Sequence, residues 1–306
     1  MKNLLVSGIS GFVGSNLREY LIKAISITGV SRIVEHPSCI LYDRLSVKTF
    51  DEFNSFIHLA GKAHDLKNTS EEKDYFQVNT ELTKKLFNQF LNSDCETFIY
   101  MSSVKATADV VDGVLSETNI SNPVTAYGKS KLAAEQYILK QELPKGKRVY
   151  ILRPCMIHGP NNKGNLNLLY SFVKKGIPYP FGAHRNLRSF VSIDNLCFII
   201  KELLENQKIP SGIYNIADDE ALSTNDLVSL IGKVLQKPAK ILNLPKGLIK
   251  VIARIGDILP IPINSERLQK LTENYVVSNK KIKAAIGKEL PLTSKEGLVK
   301  TLRSFD

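Results

Sequence analysis

At 306 residues, with 43% hydrophobic and 23% charged positions, the chain has the length of about two globular domains and enough apolar side chains to bury a large core without staples. Its 41 basic and 30 acidic residues leave a formal charge of +11, which invites an anionic partner. The basic residues are scattered as Lys84-Lys85, Lys145 to Arg148, Lys174-Lys175 and Lys280 to Lys283 with acids between them, the arrangement of solvated helix faces, so nucleic acid is not the expected partner.

In chain order, Leu4 to Val6 is an apolar run of strand length that leads into Gly8, Gly11 and Gly14, and Phe12 to Ala24 then carries helical spacing. Ser26 to Val30, Phe56 to Ala60, Thr97 to Met101 and Val149 to Leu152 are further short apolar runs, the mark of strands buried on both faces. Segments with apolar spacing near three and four fill the gaps, from about Glu71 to Leu91 and from Ala126 to Gln141, and read as helices. This alternation predicts an α/β fold, a Rossmann-type doubly wound parallel sheet. Past Pro154 the chain turns to loops marked by Gly159-Pro160, Gly164, Gly176, Pro178, Pro180 and Gly182, which belong beyond the carboxyl edge of the sheet. Phe190 to Ile193 and Ile213 to Ile216 are expected to return it to the first domain before a smaller, mainly helical domain is built. The predicted boundaries are 1–158 and 188–216 for the sheet domain and 159–187 and 217–306 for the smaller one, with a cleft between them.

The order Ser7-Gly8-Ile9-Ser10-Gly11-Phe12-Val13-Gly14 places glycines where a tight turn, room for a pyrophosphate and close approach of helix to strand are each needed. The helix N-terminus that follows offers amide N–H groups to phosphate oxygens, so Gly8, Gly11, Phe12, Val13 and Gly14 are candidate dinucleotide contacts. A turn that binds nothing is the competing reading. At the end of the second strand stands Gly29-Val30-Ser31-Arg32, where NAD usually meets an acid. A serine hydroxyl and a guanidinium welcome a 2′-phosphate, so Ser31 and Arg32 point to NADP. NAD is the alternative, with Arg32 a surface charge and Asp43, after a third strand, touching the adenine.

Tyr127 and Lys131 lie one helical turn apart in Ala-Tyr-Gly-Lys-Ser-Lys-Leu, on one face. A neighbouring ammonium is expected to lower the phenol's pKa; a shift of about three units corresponds to roughly 4 kcal/mol. Ser103 follows the strand Thr97 to Met101, at the edge where ligands gather in such sheets.

Taken together these motifs resemble the extended short-chain dehydrogenase/reductases, the nucleotide-sugar epimerase/dehydratase group, over nearly the whole chain. The glycine loop, Ile57-His58-Leu59-Ala60-Gly61, Val78-Asn79, Ser102-Ser103, Tyr127, Lys131, Arg153-Pro154, His158-Gly159-Pro160, Arg188-Ser189-Phe190-Val191, Asp194-Asn195-Leu196 and Ser278 to Ile282 carry the likeness. The resemblance implies hydride transfer between a nicotinamide and C4 of a nucleoside-diphosphate sugar. It makes Tyr127 the proton exchanger, Lys131 the ribose ligand and Ser103 the hydrogen-bond partner of the sugar oxygen. Leu59, Ala60 and Gly61 would lie along the cofactor, and Arg188 and the loop around Asn165 would grip the diphosphate. A homodimer is implied by the same analogy. Val104-Lys105 after Ser103, where dehydratases carry an acid/base pair, disfavours dehydration. Lys163-Gly164-Asn165 and Pro180 to Asn186 resemble enzymes that finish UDP-linked N-acetylated deoxy sugars. The resulting expectation is an NADPH-dependent 4-ketoreductase of a UDP-4-keto-6-deoxy-N-acetylhexosamine. A UDP-hexose 4-epimerase with retained NAD is the alternative, and a non-catalytic NADP sensor a remote one.

His58, His64 and His158 are read as structural, without metal-ligand spacing, and Asn79 as either a support for a water chain to Lys131 or a helix-face hydrogen bonder. Leu248 to Ile263 is apolar but interrupted by Lys250, Arg254 and Asp257 and ended by Pro260 and Pro262, so it is assigned to the core of the smaller domain rather than to a membrane surface. Cys39, Cys95, Cys155 and Cys197 stand apart, and no apolar run approaches the roughly 18 residues of a membrane span. With no cleavable leader recognised at the N-terminus, a cytoplasmic protein is expected.

Overall fold

The computed structural model describes residues 3–33, 39–62, 71–162, 164–258 and 264–305. Its first half runs β1 (Asn3–Ser7), α1 (Phe12–Leu21), β2 (Ser26–Ser31), β3 (Cys39–Leu41), α2 (Val47–Asp51), β4 (Ser55–His58), α3 (Glu72–Tyr75), a π-helical stretch (Phe76–Glu81), α4 (Leu82–Leu91), β5 (Thr97–Met101), β6 (Val114–Leu115), α5 (Ala126–Lys140) and β7 (Arg148–Pro154). The second runs β8 (Met156–His158), α6 (Asn165–Lys174), β9 (Phe190–Ser192), α7 (Ile193–Glu205), β10 (Gly212–Ile216), α8 (Thr224–Val234), α9 (Lys246–Gly256), α10 (Ser265–Thr272), β11 (Val276–Val277), α11 (Lys280–Ile286) and α12 (Ser294–Arg303).

Seven strands form one sheet in the order β10-β7-β5-β4-β1-β2-β3, every neighbouring pair parallel. Parallel strands must hide both faces, and the alternation of side chains does this. Leu4, Val6, Ile57, Ile99 and Leu152 pack with Leu17 and Leu21 of α1 and Leu196 and Ile200 of α7. Leu5, Phe56, Phe98, Tyr100 and Ile151 pack on the opposite face with Leu86, Phe87 and Phe90 of α4 and Ala134 and Ile138 of α5. The strand order reverses between β1 and β4, the place where such sheets open a crevice for ligands.

The doubly wound parallel sheet is as expected; several local details differ. β4 stops at His58, and Leu59 and Ala60 turn away after their N–H groups reach Ser7, Leu59 to its carbonyl at 3.1 Å and Ala60 to its Oγ at 3.4 Å. Phe190 to Ile193 does not rejoin the large sheet: β9 pairs with β8, which follows β7 past Cys155, in a separate two-stranded ribbon. The return to the first half is made by α7, packed on α1, and by β10 on β7. A third cluster, with Leu166 and Tyr170 of α6, Leu227 and Ile231 of α8, Ile249 and Ala253 of α9 and Leu298 of α12, is the core of the second half. Val277 and, on α11, Ile282 and Ile286 join the cluster of the large sheet instead. Among the described residues no helix is long and apolar enough to cross a membrane. His64, Lys163 and residues 259–263 lie outside the described residues.

Candidate active site

The loop after β1 is shaped by backbone crowding. Gly8 has φ +74, and a Cβ there would lie 2.7 Å from Ala60 N, so this turn requires glycine. A Cβ on Gly14 would collide with the Gly8 carbonyl and Ile9, which is how α1 comes to lie against β1. Gly11 caps α1 without any side-chain acceptor, so the amides of Phe12, Val13 and Gly14 are not capped by a side chain at the open end of the helix. Small residues, uncapped amides and the positive end of a helix fit a dinucleotide's pyrophosphate. Leu59 and Ala60 are half-buried beside this turn, and Gly61 is exposed.

At the end of β2, Ser31 is buried and its hydroxyl donates to the Ile33 carbonyl. Arg32 is exposed, and its charge acts on the Tyr42 phenol. Asp43 is exposed in a short helical turn after β3. Thus among the described residues no carboxylate stands at the tip of β2, and of the two residues read as recognising a 2′-phosphate Ser31 has its hydroxyl turned to the Ile33 carbonyl while Arg32 is exposed.

Across the crevice, Ser103 caps the turn after β5, its Oγ accepting from Lys105 N at 3.2 Å. Thr125 caps α5 by accepting from Gly128 N, which places Tyr127 and Lys131 on successive turns of the same face. The Ser103 hydroxyl bonds the Tyr127 phenol and favours its ionised form, while burial acts more strongly and pushes the pKa up. This corrects the expectation of a lowered phenol pKa. The ammonium is instead turned to the Met101 carbonyl, 2.9 Å away, and lies 5.0 Å from the centre of the Tyr100 ring. Burial brings Lys131 down to about 8, with Glu135 opposing the shift.

Asn79 is fully buried and hydrogen-bonded. The π-helical stretch aims it at Lys62, whose N–H donates to Oδ1 at 2.8 Å and whose carbonyl accepts from Nδ2 at 3.1 Å, while Nδ2 also reaches Ser130 Oγ at 3.0 Å. The loop after β4 is thereby tied to α5, and a Cβ on Gly61 would stand 3.0 Å from both Lys131 Nζ and Asn79 Oδ1. His58 bonds Ser7 Oγ at 2.6 Å and Thr83 Oγ1 at 3.0 Å, and burial lowers it to about 3, so it is a neutral strut. His158 is buried against Thr301, 2.8 Å away.

Two groups escaped the sequence reading. Glu135, fully buried one turn beyond Lys131, accepts from Ser102 Oγ and pairs with Arg153, whose Nε lies 3.0 Å from Oε1. Its spacing on α5 was the available signal. Tyr275 donates to the Ala108 carbonyl at 2.7 Å, with Lys105 Nζ 4.3 Å above its ring. Through it Arg188 is brought toward the Ser103 loop: Arg188 pairs by backbone with Leu222 and Tyr275 and by side chain with Glu273 at 3.7 Å. Asn165 opens α6 with its side chain exposed, and no hydrogen bond joins it to Ser103, Tyr127 or Arg188. Among the described residues no group of His, Cys, Asp and Glu could hold a metal ion.

A sequence model of the NAD dependent epimerase/dehydratase family matches residues 4–217. A UDP-glucose 4-epimerase of Vibrio cholerae is 28% identical, over 99% of this chain and 95% of that protein. The N-acetyl-alpha-D-glucosaminyl-diphospho-ditrans,octacis-undecaprenol 4-epimerase of Escherichia coli O157:H7 is 27% identical, over 98% of this chain and 94% of its own. The structure of UDP-N-acetylglucosamine 4-epimerase from Bacillus cereus superposes with a TM-score of 0.78 at 17% identity, covering 100% of this chain and 98% of that one, a likeness of fold.

Proposed function

The chain belongs to the NAD dependent epimerase/dehydratase family of enzymes, and from that premise we propose that it reduces C4 of a UDP-4-keto-6-deoxy-N-acetylhexosamine with NADPH. The observation that carries this reading is the convergence of Ser103, Tyr127 and Lys131 beside the glycine turn at the carboxyl edge of the sheet. A nicotinamide dinucleotide held there supplies the hydride. Tyr127 delivers its phenolic proton to the C4 oxygen, and Ser103 holds that oxygen while steadying the phenolate left behind. Lys131 keeps one N–H on Met101 O and has others for ribose hydroxyls. Arg188 takes the diphosphate, exchanging its long pairing to Glu273 for a closer, charge-assisted one.

Two features support reduction in a single pass. Tyr127, like any phenol, is protonated at neutral pH, and burial raises its pKa further, which leaves it in the form a ketone oxygen requires. Arg32 at the tip of β2, where no acid stands among the described residues, suits the extra phosphate of NADPH. The second reading, a UDP-hexose 4-epimerase with retained NAD, is favoured by the names of the Vibrio and Escherichia relatives.

Mixing the protein with NADPH and a UDP-4-keto-6-deoxy sugar separates the two. Steady loss of the band near about 340 nm supports the reductase. Interconversion of UDP-galactose and UDP-glucose without added cofactor supports the epimerase instead. Arg32→Asp should move preference from NADP to NAD, and an unchanged ratio removes Arg32 from the 2′ position.

A further inference from the structure

One strongly basic stretch lies outside the candidate active site. Between Asp226 and Asp257 the chain has no acidic residue, while Lys233, Lys237, Lys240, Lys246, Lys250 and Arg254 all fall within it. Helix α9 lies there and has three distinct sides. Ile249 and Ala253, 2% and 1% exposed, face the core of the second half. Leu248, Val251 and Ile255, at 49%, 54% and 46%, form an outward apolar row that Ile258, at 86%, continues past the helix end. Lys246, Lys250 and Arg254 make a parallel exposed row beside it, and none of them forms an ion pair with a described residue. The expected packing of this segment into the domain core is met on one side of α9, by Ile249 and Ala253.

An outward apolar row beside a cationic row is the pattern of a helix lying in the interface of an anionic bilayer, the apolar side chains entering the acyl boundary and the long basic ones reaching headgroups. We propose that α9 docks this protein on an anionic lipid surface. Charge selects this occupant: a net charge of +11 with a stretch free of acids in sequence around the row matches a negatively charged surface and repels a second copy of itself.

The test is flotation of the full-length protein with unilamellar vesicles of phosphatidylcholine alone or with about 30% phosphatidylglycerol. Binding to the anionic vesicles only, released by roughly 1 M salt, is the expected result. Val251→Asp with Ile255→Asp, both at exposed positions, should weaken that binding by at least about tenfold while far-UV circular dichroism stays unchanged. Lys250→Glu with Arg254→Glu should abolish it. Absence of binding to anionic vesicles, or equal binding by the variants, overturns the proposal. So does a wild-type oligomer that the Asp pair dissociates while neither protein floats, which would assign the face to a second copy.

Discussion

At Tyr127 two effects compete, burial against the Ser103 hydroxyl, and burial is the larger. The phenol therefore holds its proton more tightly than in water, and Ser103 limits how far its pKa rises. Tyr127→Phe keeps the shape and removes the proton, so turnover should fall by about 100- to 10,000-fold while dinucleotide binding, followed by fluorescence titration, is retained. Unchanged turnover would remove Tyr127 from the chemistry. Gly8 and Gly14 work by a different rule. Their role is set by what a Cβ would strike rather than by anything they donate, and this makes the turn rigid before any ligand arrives.

At the scale of elements, α5 is the organising helix. It carries Tyr127, Lys131 and Glu135 on successive turns, the first two toward the crevice and the third toward Arg153 beneath it. Lys131 is ordinarily half-titrated at 10.5 and is brought here to about 8. Between those values the native state binds fewer protons than the unfolded chain, so its stability rises with pH across this window, and the cost is fully present below pH 8. The shift corresponds to roughly 3 kcal/mol. In denaturant titrations the wild type should gain on Lys131→Met by about that amount from pH 8 to 10.5. A constant difference would contradict it. Glu135 opposes the shift, so Glu135→Gln should move the basic limb of the pH–rate profile to lower pH. By leaving Arg153 buried and unpaired it should also cost about 3–5 kcal/mol of stability. A purely structural role would change stability and leave the limb where it is. The π-helical stretch has a comparable task, since one extra residue per turn aims Asn79 at Lys62 and Ser130 together.

For the whole molecule, stability and function are placed in different layers. The face of the sheet covered by α4 and α5 is an aromatic cluster in which the Phe98 ring lies 5.4, 5.0 and 5.2 Å from Phe56, Phe87 and Phe90. Phe98→Ala should cost about 3–5 kcal/mol by thermal or chemical unfolding, with the KM of the folded fraction little changed. The reactive edge is closed instead by contacts remote in sequence, Arg188 on Leu222 and Tyr275, and Tyr275 on Ala108. The sequence by itself determined the parallel sheet, the glycine turn and the shared face of Tyr127 and Lys131, because each follows from spacing within a short segment: a buried apolar run, a run of residues lacking Cβ, a single helical turn. Tertiary structure alone decided that β9 pairs with β8, that burial raises rather than lowers the Tyr127 pKa, that the Lys131 ammonium turns to Met101, and that α9 leaves an apolar row outside. Those outcomes depend on which surfaces lose water and which partners arrive from distant segments, and local spacing carries no record of either.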